Sequence, residues 1–313
     1  MLVSDRLSRR LSLRDLEIFL AVAENRSMSK AAAQLAVSQP VVSKVIAAIE
    51  RAFGVALLDR NARGVEPTLY GRALVKRGVA VFDELRQSVK DIEFLADPTA
   101  GEIRVGGTIP LVAGLVPAVV ERLVRQHPRV VIDVTEGDFG VLERALRNRE
   151  IDLFIGRAPA GMADEDLASE VVFGDRLVVV AGSRSKWARA RKVGLSDLRN
   201  ERWVLPSPGT VGGAMVNEAL AAMGETPFRA SVTTSSMAMM IHLLTTGGFL
   251  GVLPASTAIM GAKHQSLKAL RVSWPNRPSP TVITTLKART LNPAVALFIE
   301  CARAVAKSSM GSN

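Results

Sequence analysis

The chain has 313 residues, 48% of them apolar and 22% charged, with a formal net charge of +10 and a single cysteine, Cys301. That length suffices for two or three folded domains, and the composition excludes a disordered, collagen-like or disulfide-stapled chain. One cysteine also excludes an intrachain disulfide and a cysteine-based metal cluster, and it fits a reducing, cytoplasmic setting.

The positive charge is concentrated. Between Arg26 and Arg77 nine Lys/Arg stand against three Asp/Glu, a net of +6 in 52 residues, which leaves +4 for the other 261. A polyanionic partner for this region is the natural expectation. The opening MLVSDRLSRRLSLRD carries no apolar run, so no secretory signal is expected there. Leu13, Leu16, Leu20 and Ala23, with Phe19 beside them, predict an amphipathic helix over 13–25. Ser27 or Ser29 can cap a second, alanine-rich helix, SKAAAQLA.

The third helix lies within VSQPVVSKVIAAIERAF, residues 37–53. At 100° per residue, Val42, Val45, Ile46, Ile49 and Phe53 share one sector of about 100°. Gln39, Pro40, Ser43, Lys44 and Ala47 fall on the opposite side. Ser38 is expected to cap this helix, and Pro40 occupies the first turn, where a missing N–H costs nothing. An apolar back with a small, polar front suits close approach to a polar surface such as the major groove of DNA. Three short helices with a compact turn between the second and third make a helix-turn-helix unit. GVALLDRNARGVEPTLYG then predicts a small β-hairpin, a wing: Leu57 and Leu58 lead into a turn carrying Arg60 and Arg63, and 65–69 return.

Residues 71–96 predict one helix about 37 Å long. Leu74, Val81, Leu85, Ile92 and Leu95 follow a 3-4 seam, Gly78 and Ser88 fill its remaining steps, and Val75, Val79, Phe82 and Val89 widen it. Such a stripe on a helix between two domains predicts pairing with a second copy, with Leu74, Val81, Leu85 and Ile92 as dimerisation residues. Packing on its own chain is the alternative. Asp97-Pro98-Thr99-Ala100-Gly101 marks a domain boundary.

Strands and helices alternate beyond it: strand 103–107, helix 110–126, strand 130–136, helix 141–149 and strand 152–155. That βαβαβ order implies a parallel sheet. An extended segment, 171–181, leads to a second set: strand 203–205, helix 212–223, strand 229–234, helix 236–246 and strand 251–253. A loop over 274–280 and a strand over 281–288 return to the first lobe, and a helix over 293–307 ends the chain. No charged residue occurs between Arg229 and Lys263, but Thr245-Thr246-Gly247-Gly248 and Pro254 interrupt the stretch. It therefore reads as buried helix, turn and strand rather than a membrane span, which wants about 20 mostly apolar residues.

The stretch LRDLEIFLAVAENRSMSKAAAQLAVSQPVVSKVIAAIERAFGVALLDRNARGVEPTLYGRAL, residues 13–74, resembles the LysR-type transcriptional regulators. Its most diagnostic pieces are AAAQLAVSQPVVSKVIAAIE, LLDR, and the P-T-x-x-G of Pro67, Thr68 and Gly71. Segment order, and GGFLGVLP at Gly247–Pro254, extend the likeness over nearly the whole chain. Lys44 stands where many relatives carry Arg, which keeps the charge and loses the planar fork. Lys30 stands where a capping-box acid could have been.

The resemblance implies an α/β chain with an N-terminal winged helix-turn-helix (1–70), a long linker and dimerisation helix (71–97), and a C-terminal effector-binding domain like the two-lobed periplasmic binding proteins (101–313). Lobe I would span about 101–172 and 276–313, and lobe II about 173–275. DNA contacts would come from Ser27, Ser29, Ser38, Gln39, Pro40, Ser43 and Lys44, with Arg60, Arg63 and Thr68 of the wing on the DNA backbone. Gln39 suits adenine and Lys44 suits guanine or phosphate, whereas backbone contacts position rather than specify.

Two open parallel sheets joined by two crossovers leave a cleft at the carboxyl ends of their strands. Thr108, Ile109 and Pro110 open a helix there, where N–H groups can hold an anion. Asp138 and Arg157 follow the next two strands, and Ser207, Thr210, Thr234 and Ser235 stand at equivalent places in the second lobe. Ser and Thr at such positions are as often plain helix caps; the resemblance favours a bound small-molecule effector, a carboxylate or a sugar-like metabolite. It further implies a homodimer assembled into a homotetramer on double-stranded promoter DNA, whose bend the effector alters and which contacts RNA polymerase. Without a cysteine pair, a disulfide-switched peroxide sensor is not expected.

Catalysis is not expected. His127, His242 and His264 are scattered, and neither GxSxG nor GxxxxGK[ST] occurs, so neither cofactor nor metal is implied. The competing class is a soluble solute-binding or enzymatic α/β protein with an unrelated helical N-terminus. If the seam pairs two copies, charged replacements at Val81 and Leu85 will lower the oligomeric state in ultracentrifugation and weaken operator binding together. Retention of both properties would discard the seam.

Overall fold

The computed structural model describes residues 11–61, 64–157, 164–222, 228–265, 267–272 and 278–310. The chain divides into two compact units, Met1–Ser88 and Val89–Asn313.

In the first unit α1 (Leu13–Asn25), α2 (Met28–Gln34) and α3 (Gln39–Phe53) precede a hairpin of β1 (Leu58–Asn61) and β2 (Gly64–Pro67). α4 (Leu69–Ala96) then runs on into the second unit. A capping box opens α1: Asp15 N–H donates to Ser12 Oγ at 3.1 Å and Ser12 N–H donates to Asp15 Oδ2 at 3.1 Å. The apolar backs meet in one core of Phe19, Val22, Ala31, Val42, Ile46 and Ile49, each at most 4% exposed. The sharp turn into α3 places Ala36 at φ 53°, and α3 ends at Gly54, whose φ of 71° suits glycine.

The hairpin register is antiparallel with Arg60 opposite Val65, so the return strand begins one residue earlier than expected and ends at Pro67. One carboxylate joins it to α3: Glu50 Oε1 accepts from the N–H groups of Leu57 at 2.8 Å and Leu58 at 3.1 Å. Thr68 closes the far end, donating to Ala56 O at 2.8 Å and accepting from Gly71 N–H at 3.1 Å.

α4 starts two residues before the expected position. The seam also changes character along it. Leu74 and Val75 pack on the winged core, and a Cβ on Gly78 would meet Leu16 Cδ1 at 2.9 Å. Those steps of the stripe face their own chain, which corrects the assignment of Leu74 to a dimer seam. Val81, Leu85, Val89, Ile92 and Leu95 are 41–80% exposed. α4 closes against Asp97, whose carboxylate accepts from Thr99 N–H and Oγ1 and from Arg129. The Thr99 hydrogen bonds above all hold that carboxyl below its usual range.

The second unit contains two five-stranded sheets. The first runs β4 (Arg129–Glu136), β3 (Ala100–Gly107), β5 (Leu153–Arg157), β12 (Ser279–Leu286), β6 (Leu167–Asp175). The second runs β11 (Leu267–Ala269), β7 (Leu177–Gly182), β10 (Leu250–Pro254), β8 (Trp203–Pro206), β9 (Ala230–Thr234). Both were expected to be parallel; both are mixed. β3, β4 and β5 are parallel, as are β8, β9 and β10, but β12 in the first sheet and β7 in the second run the other way. The segment expected as one extension over 171–181 is therefore two strands in two sheets, β6 and β7, divided at Arg176.

The helices are α5 (Ile109–Val112), α6 (Leu115–Gln126), α7 (Phe139–Arg147), α8 (Val211–Ala222), α9 (Met237–Thr245), α10 (Ala255–Gln265) and α11 (Pro293–Met310). The single helix expected over 110–126 is broken at Gly114, where a Cβ would lie 2.8 Å from Thr257 Cα and 3.0 Å from Ser256 O. Backbone from the other lobe occupies that space. The charge-free stretch holds α9, β10 and α10, and no single helix among the described residues is long and apolar enough to cross a membrane. α10 and β11 were not foreseen.

The first lobe is locked by a buried charge cluster. Asp152, 1% exposed, accepts from Arg104 N–H and Nη2 at 2.8 Å and from Arg289 Nη2 at 2.7 Å. Asp152→Ala would leave two guanidiniums without their shared carboxylate and should cost about 3–5 kcal/mol in urea unfolding of the second unit; a loss under about 1 kcal/mol would show the cluster to be dispensable. In the first unit, Glu50→Ala should accelerate amide exchange at Leu57 and Leu58, while Glu50→Gln, which keeps an acceptor oxygen, should preserve protection. Unchanged exchange in the alanine variant would refute the clamp.

Candidate DNA-reading face and interlobe cleft

The front of α3 faces solvent. Gln39, Pro40 and Lys44 are exposed and Ser43 is half-buried. Ser38 occupies the N-cap position, yet its side chain makes no capping bond; its carbonyl accepts from Val41 and Val42 N–H at 3.0 and 3.3 Å instead. The expected hydroxyl cap is corrected accordingly. Ser27 does cap α2, accepting from Lys30 N–H at 3.3 Å, which leaves its O–H proton available to an outside acceptor. Ser29 is exposed on the first turn of α2.

On the wing, Arg60 is exposed, and Arg63 lies outside the described residues. Thr68 differs from expectation. Its only hydroxyl proton is donated to Ala56 O, so it has nothing left to donate to a phosphate. Its role is to join the wing to the start of α4. Val41, 44% exposed beside Pro40, is an apolar group on the reading face that the helical wheel had not singled out. An exposed valine here offers a surface for a thymine methyl.

In the second unit, strand register sets the cleft residues. Gly107 of β3 is level with Glu136 of β4 and Ile155 of β5, so Thr108, Asp138 and Arg157 emerge at one sheet edge. Pro206 is level with Thr234, which places Ser207, Thr210, Thr234 and Ser235 at the corresponding edge of the second sheet.

Their chemistry is mostly local. Thr108 N–H donates to Ile155 O at 3.0 Å, and the helix it opens is only 4 residues long. The Thr108 amide is therefore taken up by the sheet, and a single turn gathers little dipole. Asp138 is exposed at the N-cap of α7, with no side-chain capping bond. Thr210 donates to Ser207 O at 2.7 Å and accepts from Gly213 N–H at 3.1 Å, and Thr234 Oγ1 accepts from Ser236 N–H at 3.0 Å. Thr210 and Thr234 are thus built into helix starts, while Ser235 is exposed.

Arg157 is different. Its Nη1 reaches across to the sulfur of Met215 on α8. Burial pushes its guanidinium below the usual arginine range, and the Asp175 carboxylate pulls it partly back. Asp175, 2% exposed, accepts from Ser256 N–H at 3.2 Å and Ser256 Oγ at 2.6 Å, and Thr257 Oγ1 donates to Pro110 O at 2.8 Å. Met215, Asp175, Ser256 and Thr257 carried no signal in the sequence, since they stand in ordinary apolar or small-residue runs. Cys301 is buried beside Gln126 Oε1, and burial pushes its thiol up, away from the reactive thiolate.

The chain matches two family descriptions: the bacterial regulatory helix-turn-helix protein of the lysR family over residues 13–72, and the LysR substrate binding domain over residues 96–307. It is 26% identical over 305 residues to the HTH-type transcriptional regulator GbpR of Azospirillum brasilense, covering 97% of this chain and 89% of that protein. It is 34% identical to PcaQ of Agrobacterium fabrum over 179 residues, 56% of this chain and 57% of the relative. Among solved structures it is similar in fold to full-length CbnR in complex with its target DNA, at 22% identity, TM-score 0.53 and coverage of 95% and 100%. Full-length OxyR from Pseudomonas aeruginosa shares 22% identity, with TM-score 0.63 and 95% coverage of each chain. With both family descriptions in their expected order over most of its length, this chain belongs to the LysR family of DNA-binding transcriptional regulators.

Proposed function

We propose that this regulator reads double-stranded promoter DNA through the first turns of α3, with the wing on the DNA backbone, and that a small-molecule effector in the interlobe cleft modulates that binding. One observation carries the DNA assignment. Gln39, Pro40 and Lys44 stand exposed on a helix whose back, at Val42 and Ile46, is 0% exposed, so a packed core holds the front open to solvent. A rigid polar face within a +6 segment supplies both base contacts and counterion release.

The exposed apolar stretch of α4 from Val81 to Ile92 supports a homodimer, and we read the full assembly as a homotetramer. Two heads at a set spacing would engage successive half-sites, and effector binding would alter DNA bending and contact with RNA polymerase. An effector does this only through unequal affinity for the two arrangements. A cytoplasmic location follows from that role, and no catalytic step, cofactor or metal enters it.

The test is a salt-matched titration with DNA from upstream of the protein's own gene and with random DNA. Gln39→Ala should weaken specific binding about tenfold, by the roughly 1–3 kcal/mol of a bidentate base contact, and leave random binding nearly unchanged. Equal losses on both DNAs would remove Gln39 from base reading, and absence of any preference for the upstream DNA in the parent chain would sink the regulator reading.

A further inference from the structure

We propose that the basic segment Arg184–Lys192 of the second lobe is a further DNA contact of this chain, one that grips phosphates of the duplex outside the bases read by α3. The inference rests on the DNA-binding role assigned above and adds a second surface to it.

Charge leads to this segment. Outside residues 26–77 the chain carries +4, and RSKWARARK, residues 184–192, alone supplies +5, with five Lys/Arg and no Asp/Glu. The remaining 252 residues stand at −1, so the whole excess of positive charge lies in two places. One of them belongs to the winged unit. Like charges this close repel one another, and a surface that serves solubility alone mixes the two signs.

The segment is held by the core of its own lobe. It follows β7 and contains a single 3-10 turn, Lys186–Arg189, opened by Ser185, whose Oγ accepts from Trp187 N–H at 3.4 Å. Ala188 and Val193 are buried, and Trp187 and Ala190 pack against the core that holds Leu177, Val179 and Trp203. With those groups facing inward, Arg184, Lys186, Arg189, Arg191 and Lys192 are all exposed. Cations carried on packed backbone lose less freedom on meeting an anion than those of an unstructured tail.

Most of these cations have no carboxylate. Lys186 pairs with Glu201 at 2.7 Å and lies 5.0 Å from the centre of the Trp187 ring. Among the described residues, none forms an ion pair with Arg184, Arg189, Arg191 or Lys192. Elsewhere in the same unit Arg129, Arg147 and Arg303 each hold a carboxylate. Four exposed, unpaired cations suit a phosphate backbone, which repeats its charge along the duplex and asks for no particular base. An acidic protein surface is the competing polyanion. DNA is favoured because the same chain binds it through the winged unit, so each further contact forms as an intramolecular event at raised effective concentration.

Salt titrations of the full chain test this on two duplexes from upstream of its gene. One is trimmed to the protected half-sites, and the other is extended on each side by about three helical turns, roughly 30 bp. The variant Arg184→Gln/Arg189→Gln/Arg191→Gln/Lys192→Gln removes the four unpaired charges and leaves Lys186 and the packed residues in place. On the extended duplex its plot of log affinity against log salt should be shallower than the parent's by about 3–4, at about 0.9 per phosphate contact. Between about 50 and 200 mM salt the parent should therefore lose about a hundredfold more affinity than the variant. On the trimmed duplex the two should agree. Arg184→Lys/Arg189→Lys/Arg191→Lys, which keeps every charge, should retain the parent's slope on both.

Equal slopes for the parent and the glutamine variant on the extended duplex overturn the proposal, as does an equal fall in slope on both duplexes. Unchanged slopes with weaker binding to purified RNA polymerase overturn it as well and assign the segment to a protein. Extended random DNA should show the same fall in slope, since phosphates carry no sequence. A parent chain with no preference for its upstream DNA would strike the regulator reading and leave that last comparison standing.

Discussion

The second unit is organised by one buried carboxylate. Asp175 ends β6 where the chain leaves the first sheet, and at 2% exposure it must be satisfied within the protein. Ser256 does this with backbone and side chain, which fixes the start of α10 at the crossing. Once α10 is held there, Thr257 reaches Pro110, Gly114 admits the backbone of Ser256 and Thr257, and Met260 enters the first lobe's core among Ile103, Val105 and Phe298. The lobes are thus joined by a packed helix as well as by two passages of chain. A ligand acting on such an assembly has to exchange specific contacts, because close-packed interfaces switch rather than stretch.

The winged unit uses the same device on a smaller scale. Two backbone N–H groups at the start of the hairpin have no strand partner on that side, and Glu50 supplies the acceptor. Thr68 then ties Ala56 to the first turn of α4, and Val65 N–H donates to Arg26 O at 3.0 Å. The wing is held at three points by hydrogen bonds to α3, to the residue after α1 and to the start of α4.

Where sequence and structure part, the causes are physical. α1, α3 and α11 were legible because one face of each is apolar at strict helical period and each has a capping residue, a glycine stop or a proline start. The run over 110–126 has the same period, and nothing local distinguishes Gly114 from a tolerated helix glycine. It becomes a break only because another segment, more than a hundred residues away, needs the space. The run over 171–181 is β-prone on both sides of Gly174-Asp175-Arg176, and that short interruption does not by itself tell a bulge in one strand from a change of sheet at Arg176. Leu74 and Ile92 have equal claims on a seam by spacing; burial against Leu16 and Leu20 divides the stripe at Gly78.

Periodicity, turn residues and the concentration of charge between Arg26 and Arg77 are local properties, and they were enough to specify a winged helix-turn-helix, a long helix and two α/β lobes in order. They also named Gln39, Lys44, Arg60 and Arg157. The state of those side chains depends on groups distant in the chain: Ala56 takes the proton of Thr68, Ser256 takes the carboxylate of Asp175, and Met215 stands against Arg157. A hydrogen bond or a desolvated charge depends on what lies within a few ångströms, and in a chain this long most such neighbours are set by packing rather than by order along the chain.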